Sequence, residues 1–375
     1  MKSKRPLVPV DATHVRDGGR LLWYAAGCNY LGLSHHPRLR EALVASLREA
    51  PIHPGASRAT TGEHAAYLAA ERSLARFLRT ESAVILPTGY MAALAAMHGL
   101  ATLATHVVVH PAAHACLRDA ARVSGLPVVG PWDGSAAGLR CLRTTAKPRS
   151  RWVVAMDGVA PAHGEVADLP GILAQVPRTG WLLVDDAHGV GVLGRCGRGI
   201  CEHHGVDDDR VVVTGSLAKA LGVSGGFVAG RRTPVDAARL SAVHVGTTSP
   251  PLAWVAGVRA ALGLLGRERW RVHALQERAA WMHARLHDVP GVQVHPASPV
   301  VACVPRDARE SARLQRGLTA AGIFPPFIRY PSAPKGGGHG FFRFAVNALH
   351  AWEDLERLVQ VLRSVMDDDR PRTRP

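Results

Sequence analysis

The sequence predicts an α/β protein with a large domain, built on a mostly parallel sheet covered on both faces, followed by a smaller α+β domain. Three observations carry this. Short apolar runs alternate with helical stretches from about residue 63 to residue 230. Each run ends in a polar or glycine-rich turn, the pattern of strands buried on both faces. After Pro250–Pro251 the alternation gives way to a long helical region and then to sparser strands. A chain of 375 residues is the right size for one large unit and one small one.

In order, Tyr67, Ala70, Leu74, Phe77 and Leu78 follow helical spacing. Ala83–Leu86 reads as a buried strand, Gly89–Gly99 as a helix and His106–Val109 as the next strand. Trp152–Ala155, Leu182–Val184, Val211–Val213 and Phe227–Ala229 continue the series. The large domain is expected over residues 52–248, and residues 249–375 form a linking helix and the small domain. The linking helical region runs to about Leu286 with a break near Gly266. Strands are then expected at Val292–His295, Val301–Val304 and Phe341–Val346, and helices at Glu310–Ala320 and Trp352–Val365. The polar tail, residues 367–375, is expected to fray.

Composition narrows the function. With 47% hydrophobic and 20% charged residues the chain is globular rather than disordered. Its net charge of +15 suits acidic small molecules, coenzyme A esters or an acidic carrier protein. The arginines are scattered and no nucleic-acid motif is present, so no nucleic acid is expected as a partner. Residues 83–110 contain no Asp, Glu, Lys or Arg, a length that could span a membrane. Pro87, Gly89, His98, Gly99 and His106 interrupt it, and strand–turn–helix–strand is the better reading, with no membrane. The basic N-terminus MKSKRPLVPV lacks an apolar signal core. Six cysteines without a CxxC pair point to a reduced, cytoplasmic protein. His35–His36 and His203–His204 lack partners at ligand spacing, so no metal site is expected.

Two familiar motifs are discarded. Gly189-x-Gly191-x-x-Gly194 follows a strand, but Asp185, Asp186 and His188 intervene where a dinucleotide fingerprint turns at once into a helix. Gly222-x-Ser224-x-Gly226 matches a nucleophile elbow but is followed by a strand, not a helix.

What remains is a pair of unusual segments. Trp181–Gly189 ends a buried strand in Asp185-Asp186-Ala187-His188, and Thr214–Gly222 places Lys219 in a small, apolar loop after another strand. In a parallel sheet both lie at the carboxyl edge, where ligands bind. Apolar surroundings depress a lysine's pKa and favour Schiff-base chemistry. The competing reading, a surface lysine beside an unrelated acidic turn, would lead if either segment stood alone.

These segments belong to an ordered series: Asn29–Tyr30–Leu31–Gly32–Leu33–Ser34–His35–His36–Pro37, Gly55–Ala56–Ser57–Arg58 with Gly62, Asp185–Gly189, Ser216–Lys219, Phe342–Arg343–Phe344 and Asn347–His350. The series resembles the α-oxoamine synthases, most of all their 8-amino-7-oxononanoate synthase branch. These are pyridoxal 5'-phosphate (PLP) enzymes that condense an amino acid with an acyl thioester and release carbon dioxide.

The resemblance implies the type I fold of PLP-dependent transferases, with a small domain built from both chain ends, so that residues 1–51 join it. It implies that Lys219 holds the cofactor and moves the α-proton, and that Asp185 pairs with the pyridine nitrogen and keeps the ring an electron sink. It further implies that His188 bonds the phenolic oxygen and that His114 stacks on the ring. Thr88, Gly89 and Tyr90 would open a phosphate-binding helix, joined by Ser216. The Gly246–Thr247–Thr248 segment would reach a neighbouring subunit's phosphate, which implies a homodimer with shared active sites. Arg343 would clamp the substrate carboxylate, with Asn29 nearby.

Four positions depart from the family pattern. Cys28 replaces an asparagine, Asp157 a glutamate, Pro161 a serine and Tyr67 a histidine, all in or near the expected site. The chain also begins close to Asn29, which leaves little N-terminal arm to cover an acyl chain. Cofactor residues are thus kept while substrate residues change, which points to a different amino acid or acyl group, carried on coenzyme A or on a carrier protein. Two rivals remain at this stage: a PLP enzyme of this fold that uses no thioester, and a non-catalytic partner subunit. Retention of Lys219 and Asp185 speaks against the second.

Overall fold

The computed structural model describes residues 6–144, 150–329 and 340–366; the tail expected to fray lies outside them. The chain divides into two compact units. The smaller holds residues 1–32, 161–165 and 270–375, and the larger holds 33–160 and 166–269.

The chain opens in the smaller unit with three short antiparallel strands, β1 (Val8–Pro9), β2 (His14–Asp17) and β3 (Arg20–Trp23). The larger unit follows, with helices α1 (Pro37–Glu49), α2 (Ala65–Leu78), α3 (Gly89–Ala101) and α4 (Ala115–Val123) before or between its strands. Its sheet has six strands: β4 (Ser82–Leu86), β5 (His106–Val109), β6 (Trp152–Asp157), β7 (Trp181–Asp185), β8 (Val211–Ser216) and β9 (Gly226–Gly230). Their order is β4-β9-β8-β7-β6-β5. β5 to β8 are mutually parallel, and β9 runs against both β8 and β4. β4 therefore points the same way as β5 to β8, and five strands end at one edge.

The uncharged stretch of the sequence resolves into β4, α3 and β5. It carries no charge because α3 is buried: Ala92, Ala93, Ala95, Ala96, Met97 and Leu100 are all inaccessible and pack with Val107, Val153, Leu183 and Val212. A helix apolar on every side belongs in a core. Gly99 lets it approach closely, since a Cβ there would lie 2.5 Å from the Ala238 nitrogen. No helix among the described residues is long and apolar enough to cross a membrane.

Residues 33–51 and 249–269 lie in the larger unit. The helix Leu252–Arg267 packs against both α1 and α2, so it covers the large domain rather than leaving it. The break after it falls at Glu268–Arg269, close to Gly266 as expected. Glu268 meets His36 Nε2 at 3.2 Å, and His36 Nδ1 in turn caps α1.

In the smaller unit the antiparallel order is β10-β11-β13-β12, with β10 (Val292–Val294), β11 (Val300–Cys303), β12 (Phe327–Ile328) and β13 (Phe341–Ala345). The N-terminal segment is stitched to this unit by backbone bonds from Trp23 to Gly322, Phe324 to Trp23 and Ala345 to Ala25.

One buried ionic network braces the larger unit. Glu71 Oε1 accepts from Arg58 Nη1 at 2.6 Å and from the Ile85 N–H at 2.9 Å, and Oε2 accepts from Arg239 Nη2 at 2.8 Å. Arg58 also pairs with Glu63 and lies 4.4 Å over the Tyr67 ring. Removing one partner of such a buried pair strands the other charge. Glu71→Ala should therefore lower the unfolding free energy by about 3–5 kcal/mol, measured by denaturant titration; a loss below about 1 kcal/mol, the value of a surface ion pair, would sink this reading.

Candidate active site

In the larger unit the parallel register sets Asp157 of β6 opposite Asp185 of β7, and Asp185 opposite Thr214 of β8. Lys219 follows β8 by three residues, and its Nζ lies 2.7 Å from His188 Nε2. Asp185 Oδ1 accepts the Ala187 N–H at 3.1 Å, and Oδ2 accepts the Cys116 thiol at 3.1 Å. Cys116 Sγ is also 3.0 Å from His114 Nδ1, and the His114 N–H donates to Asp157 Oδ2 at 2.7 Å. His114 is the N-cap of α4, so the start of this helix ties the ends of β6 and β7 together. Among the described residues, His114, Cys116 and Asp185 form the only trio of His, Cys, Asp or Glu with ligand atoms within 4.8 Å of one another. These three atoms are occupied with each other.

Burial governs the electrostatics. It pushes the Asp157 carboxyl up to about 8, with the neighbouring Asp185 charge adding to the effect. Burial likewise lowers His114 and raises the Cys116 thiol well above its ordinary value, so both are neutral at pH 7. Asp186 is fully enclosed. Its Oδ2 accepts the Ile200 N–H at 2.8 Å and its Oδ1 has no partner. A Cβ at Gly189 or Gly199 would fall 1.9 Å from this carboxylate. The Gly189-x-Gly191-x-x-Gly194 run is thus a series of turns wrapped on Asp186, with no helix opening from its first glycine.

At the same edge, Thr88 caps α3 by accepting the Met91 N–H at 3.1 Å. The N–H groups of Gly89 and Tyr90 lie outside the helix's own ladder. Gly89 packs against β8: a Cβ there would meet the Gly215 oxygen and Ser216 Cβ at 3.2 Å. Ser216 Oγ accepts the Ala218 N–H at 3.2 Å, and the Tyr90 hydroxyl donates to Asp119 at 2.5 Å. Thr247 follows a short helix and donates to Met91 Sδ at 3.5 Å. Tyr67 is wholly buried, and its hydroxyl is committed to Ser249 Oγ at 3.0 Å and the Pro250 carbonyl at 2.6 Å.

The smaller unit holds Arg343 on β13. Its Nε donates to the Pro161 carbonyl at 2.6 Å, Nη2 donates to the Tyr30 hydroxyl at 3.4 Å, and Nη1 is 3.9 Å from Cys28 Sγ. Pro161 lacks a donor, yet its backbone oxygen orients the guanidinium. The Asn29 carbonyl accepts from Asn347 Nδ2. Burial raises the Tyr30 pKa and keeps its hydroxyl protonated.

Residues 26–362 match the aminotransferase class I and II family. The 8-amino-7-oxononanoate synthase of Methylococcus capsulatus is 34% identical over 367 residues, covering 94% of this chain and 91% of that one. That of Stutzerimonas stutzeri is 33% identical, covering 96% and 92%. The chain is an α-oxoamine synthase of the aminotransferase class I and II family. A solved serine palmitoyltransferase from Sphingomonas wittichii shares the fold, with a TM-score of 0.88 at 25% identity over 98% of this chain and 93% of that one. As an α-oxoamine synthase the protein is a PLP-dependent transferase, and its reaction class is the condensation of an amino acid with an acyl thioester.

The residues of the larger unit fit that cofactor. They offer an amine for an aldehyde, a buried carboxylate for a ring nitrogen and a helix N-terminus for a phosphate, all at one sheet edge. Sequence reading missed Cys116 and Tyr30. Cys116 stands two residues after His114, but only the fold shows that its thiol meets Asp185.

Asp186 makes a pH-dependent prediction. Burial pushes its carboxyl up to about 8, against the Ile200 bond that opposes the rise. A carboxyl raised on folding favours the folded state most below its unfolded value, near 4, and loses that contribution as pH rises to the folded value. Stability should fall from about pH 5 to about pH 8 by at most ~1.4 kcal/mol per pH unit from this group, then level off. Asp186→Asn keeps an acceptor for Ile200 and should flatten the slope in denaturant titrations across that range. An unchanged slope would count against the assignment.

Proposed function

We propose that this α-oxoamine synthase acts with Lys219, Asp185, His188 and His114 around its cofactor, and that its substrate differs from that of its biotin-pathway relatives. The observation that carries the assignment is Lys219 Nζ at 2.7 Å from His188 Nε2, beside the Asp185 carboxylate at the ends of β7 and β8. PLP, when bound, supplies an aldehyde and an electron-withdrawing ring.

Lys219 Nζ would hold the cofactor and would move the proton at the substrate's α-carbon. Asp185 would face the ring nitrogen, its carboxyl oriented by the Ala187 N–H and the Cys116 thiol. His188 donates towards the phenolic oxygen, and His114 covers one ring face and excludes water. Thr88, Gly89, Tyr90 and Ser216 hold the phosphate at the start of α3, where N–H groups and the helix dipole favour an anion.

Arg343 binds the amino acid's carboxylate, pre-oriented by Pro161 and Tyr30. Asp157 and Cys28 shape the substrate's surroundings. Holding both substrates in place removes much of the entropic barrier to their condensation.

The protein works as a homodimer in which Thr247 reaches the partner's phosphate. Exposed Ile52, Leu240, Val245 and Trp254 on the larger unit support a buried contact there. Six free thiols support a reduced, cytoplasmic setting.

Lys219→Ala should fold and dimerise but lose the visible absorbance of covalently held cofactor together with turnover. Spectra and sedimentation of the purified variant test this, and wild-type absorbance would refute the role of Lys219.

Cys28→Asn supplies an amide where the weak thiol donor now sits 3.9 Å from Arg343. It should raise kcat/KM for alanine or glycine relative to larger amino acids by about threefold to tenfold, the worth of one hydrogen bond, with little change in cofactor affinity. A panel of amino acids assayed on both forms decides; an unchanged ranking removes Cys28 from the pocket and leaves Asp157 and Pro161 as the residues to vary.

A further inference from the structure

We propose that Cys116 is a positioning residue whose single thiol proton, given to Asp185, fixes the Asp185 carboxylate and leaves His114 in one tautomer. The inference rests on the reading above, in which Asp185 serves the ring nitrogen and His114 the ring face.

The geometry forces a choice. Cys116 Sγ lies 3.1 Å from Asp185 Oδ2 and 3.0 Å from His114 Nδ1, and a thiol has one proton for two acceptors. His114 Nδ1 is already engaged, since it caps α4 by accepting the Cys116 backbone N–H at 3.3 Å. An imidazole nitrogen that accepts is unprotonated and has one lone pair. The ring proton therefore sits on Nε2, and the thiol proton turns to Asp185 Oδ2, a carboxyl oxygen with lone pairs to accept it. Both side chains are held neutral by burial, which keeps that proton on sulfur.

The consequence reaches both proposed cofactor contacts. Asp185 is held by two donors, the Ala187 N–H on Oδ1 and the thiol on Oδ2, and this fixes the plane of its carboxylate. Without the thiol, Oδ2 loses its donor in a buried setting, with Asp157 on the neighbouring strand. His114 keeps its Nε2–H free to donate because its Nδ1 belongs to the helix cap.

The test compares wild type, Cys116→Ala, Cys116→Ser and Asp185→Asn as full chains loaded with PLP. The first readout is the infrared S–H stretch of Cys116, isolated as the difference between wild type and Cys116→Ser. It should lie below the free-thiol position and move back towards it in Asp185→Asn, whose amide is a weaker acceptor. The second readout is α-deuterium exchange into alanine across pH. Cys116→Ala should slow it by about threefold to tenfold and shift its pH midpoint, and Cys116→Ser should restore both to within about twofold.

A band at the free-thiol position, or one indifferent to Asp185→Asn, overturns the proposal. So does wild-type exchange in Cys116→Ala when Asp185→Asn is impaired, which counts against Cys116 alone. Undiminished exchange in Asp185→Asn counts instead against the functional role of Asp185. Should Cys116→Ala fail to fold, the infrared comparison, which needs only wild type, Cys116→Ser and Asp185→Asn, still decides.

Discussion

Asp157 and Asp185 sit side by side because β6 and β7 are parallel and in register, and two adjacent carboxylates at a buried sheet edge cannot both be left bare. The start of α4 resolves the conflict. The His114 N–H goes to one acid and the Cys116 thiol to the other, so the acids receive different donors. Asp185 carries donors on both oxygens, whereas burial leaves Asp157 protonated at neutral pH. That arrangement holds the Asp185 carboxyl from both sides.

Much of this was legible in the sequence. The apolar runs gave the strands of the large sheet, and the strand before Asp185 and the loop around Lys219 stood out by chemistry. The family, the cofactor and the reaction class follow from ordered motifs, and the comparisons bear them out. What the sequence hid is what depends on pairing across distance. Nothing in Cys116 announces Asp185, which lies 69 residues away. Tyr67 looked like an altered pocket residue, but its hydroxyl bonds Ser249 and Pro250, far along the chain. The packing of the Leu252–Arg267 helix on α1 and α2 is equally long-range.

In the smaller unit Arg343 is oriented by the Pro161 backbone carbonyl, and Tyr30 engages a second arm of the guanidinium. Cys28 is the loosest of these contacts. Changes that leave the guanidinium oriented but loosen its surroundings alter which substrate is accepted more readily than whether one is bound.

The reversed strand β9 has a consequence for biogenesis. Among the described residues β4 pairs with β9 alone, so Leu86 must wait for Gly226. Roughly 140 residues separate them, a span that a ribosome working at about 5–20 residues per second takes on the order of 10–30 s to deliver. Throughout that interval the apolar β4 and α3 are already made, while the strand that joins β4 to β8 is not. Closure of the sheet is thus a late, long-range event in the chain's synthesis. Holdase chaperones acting on early emerging chain would have their clearest target here, in residues 83–110.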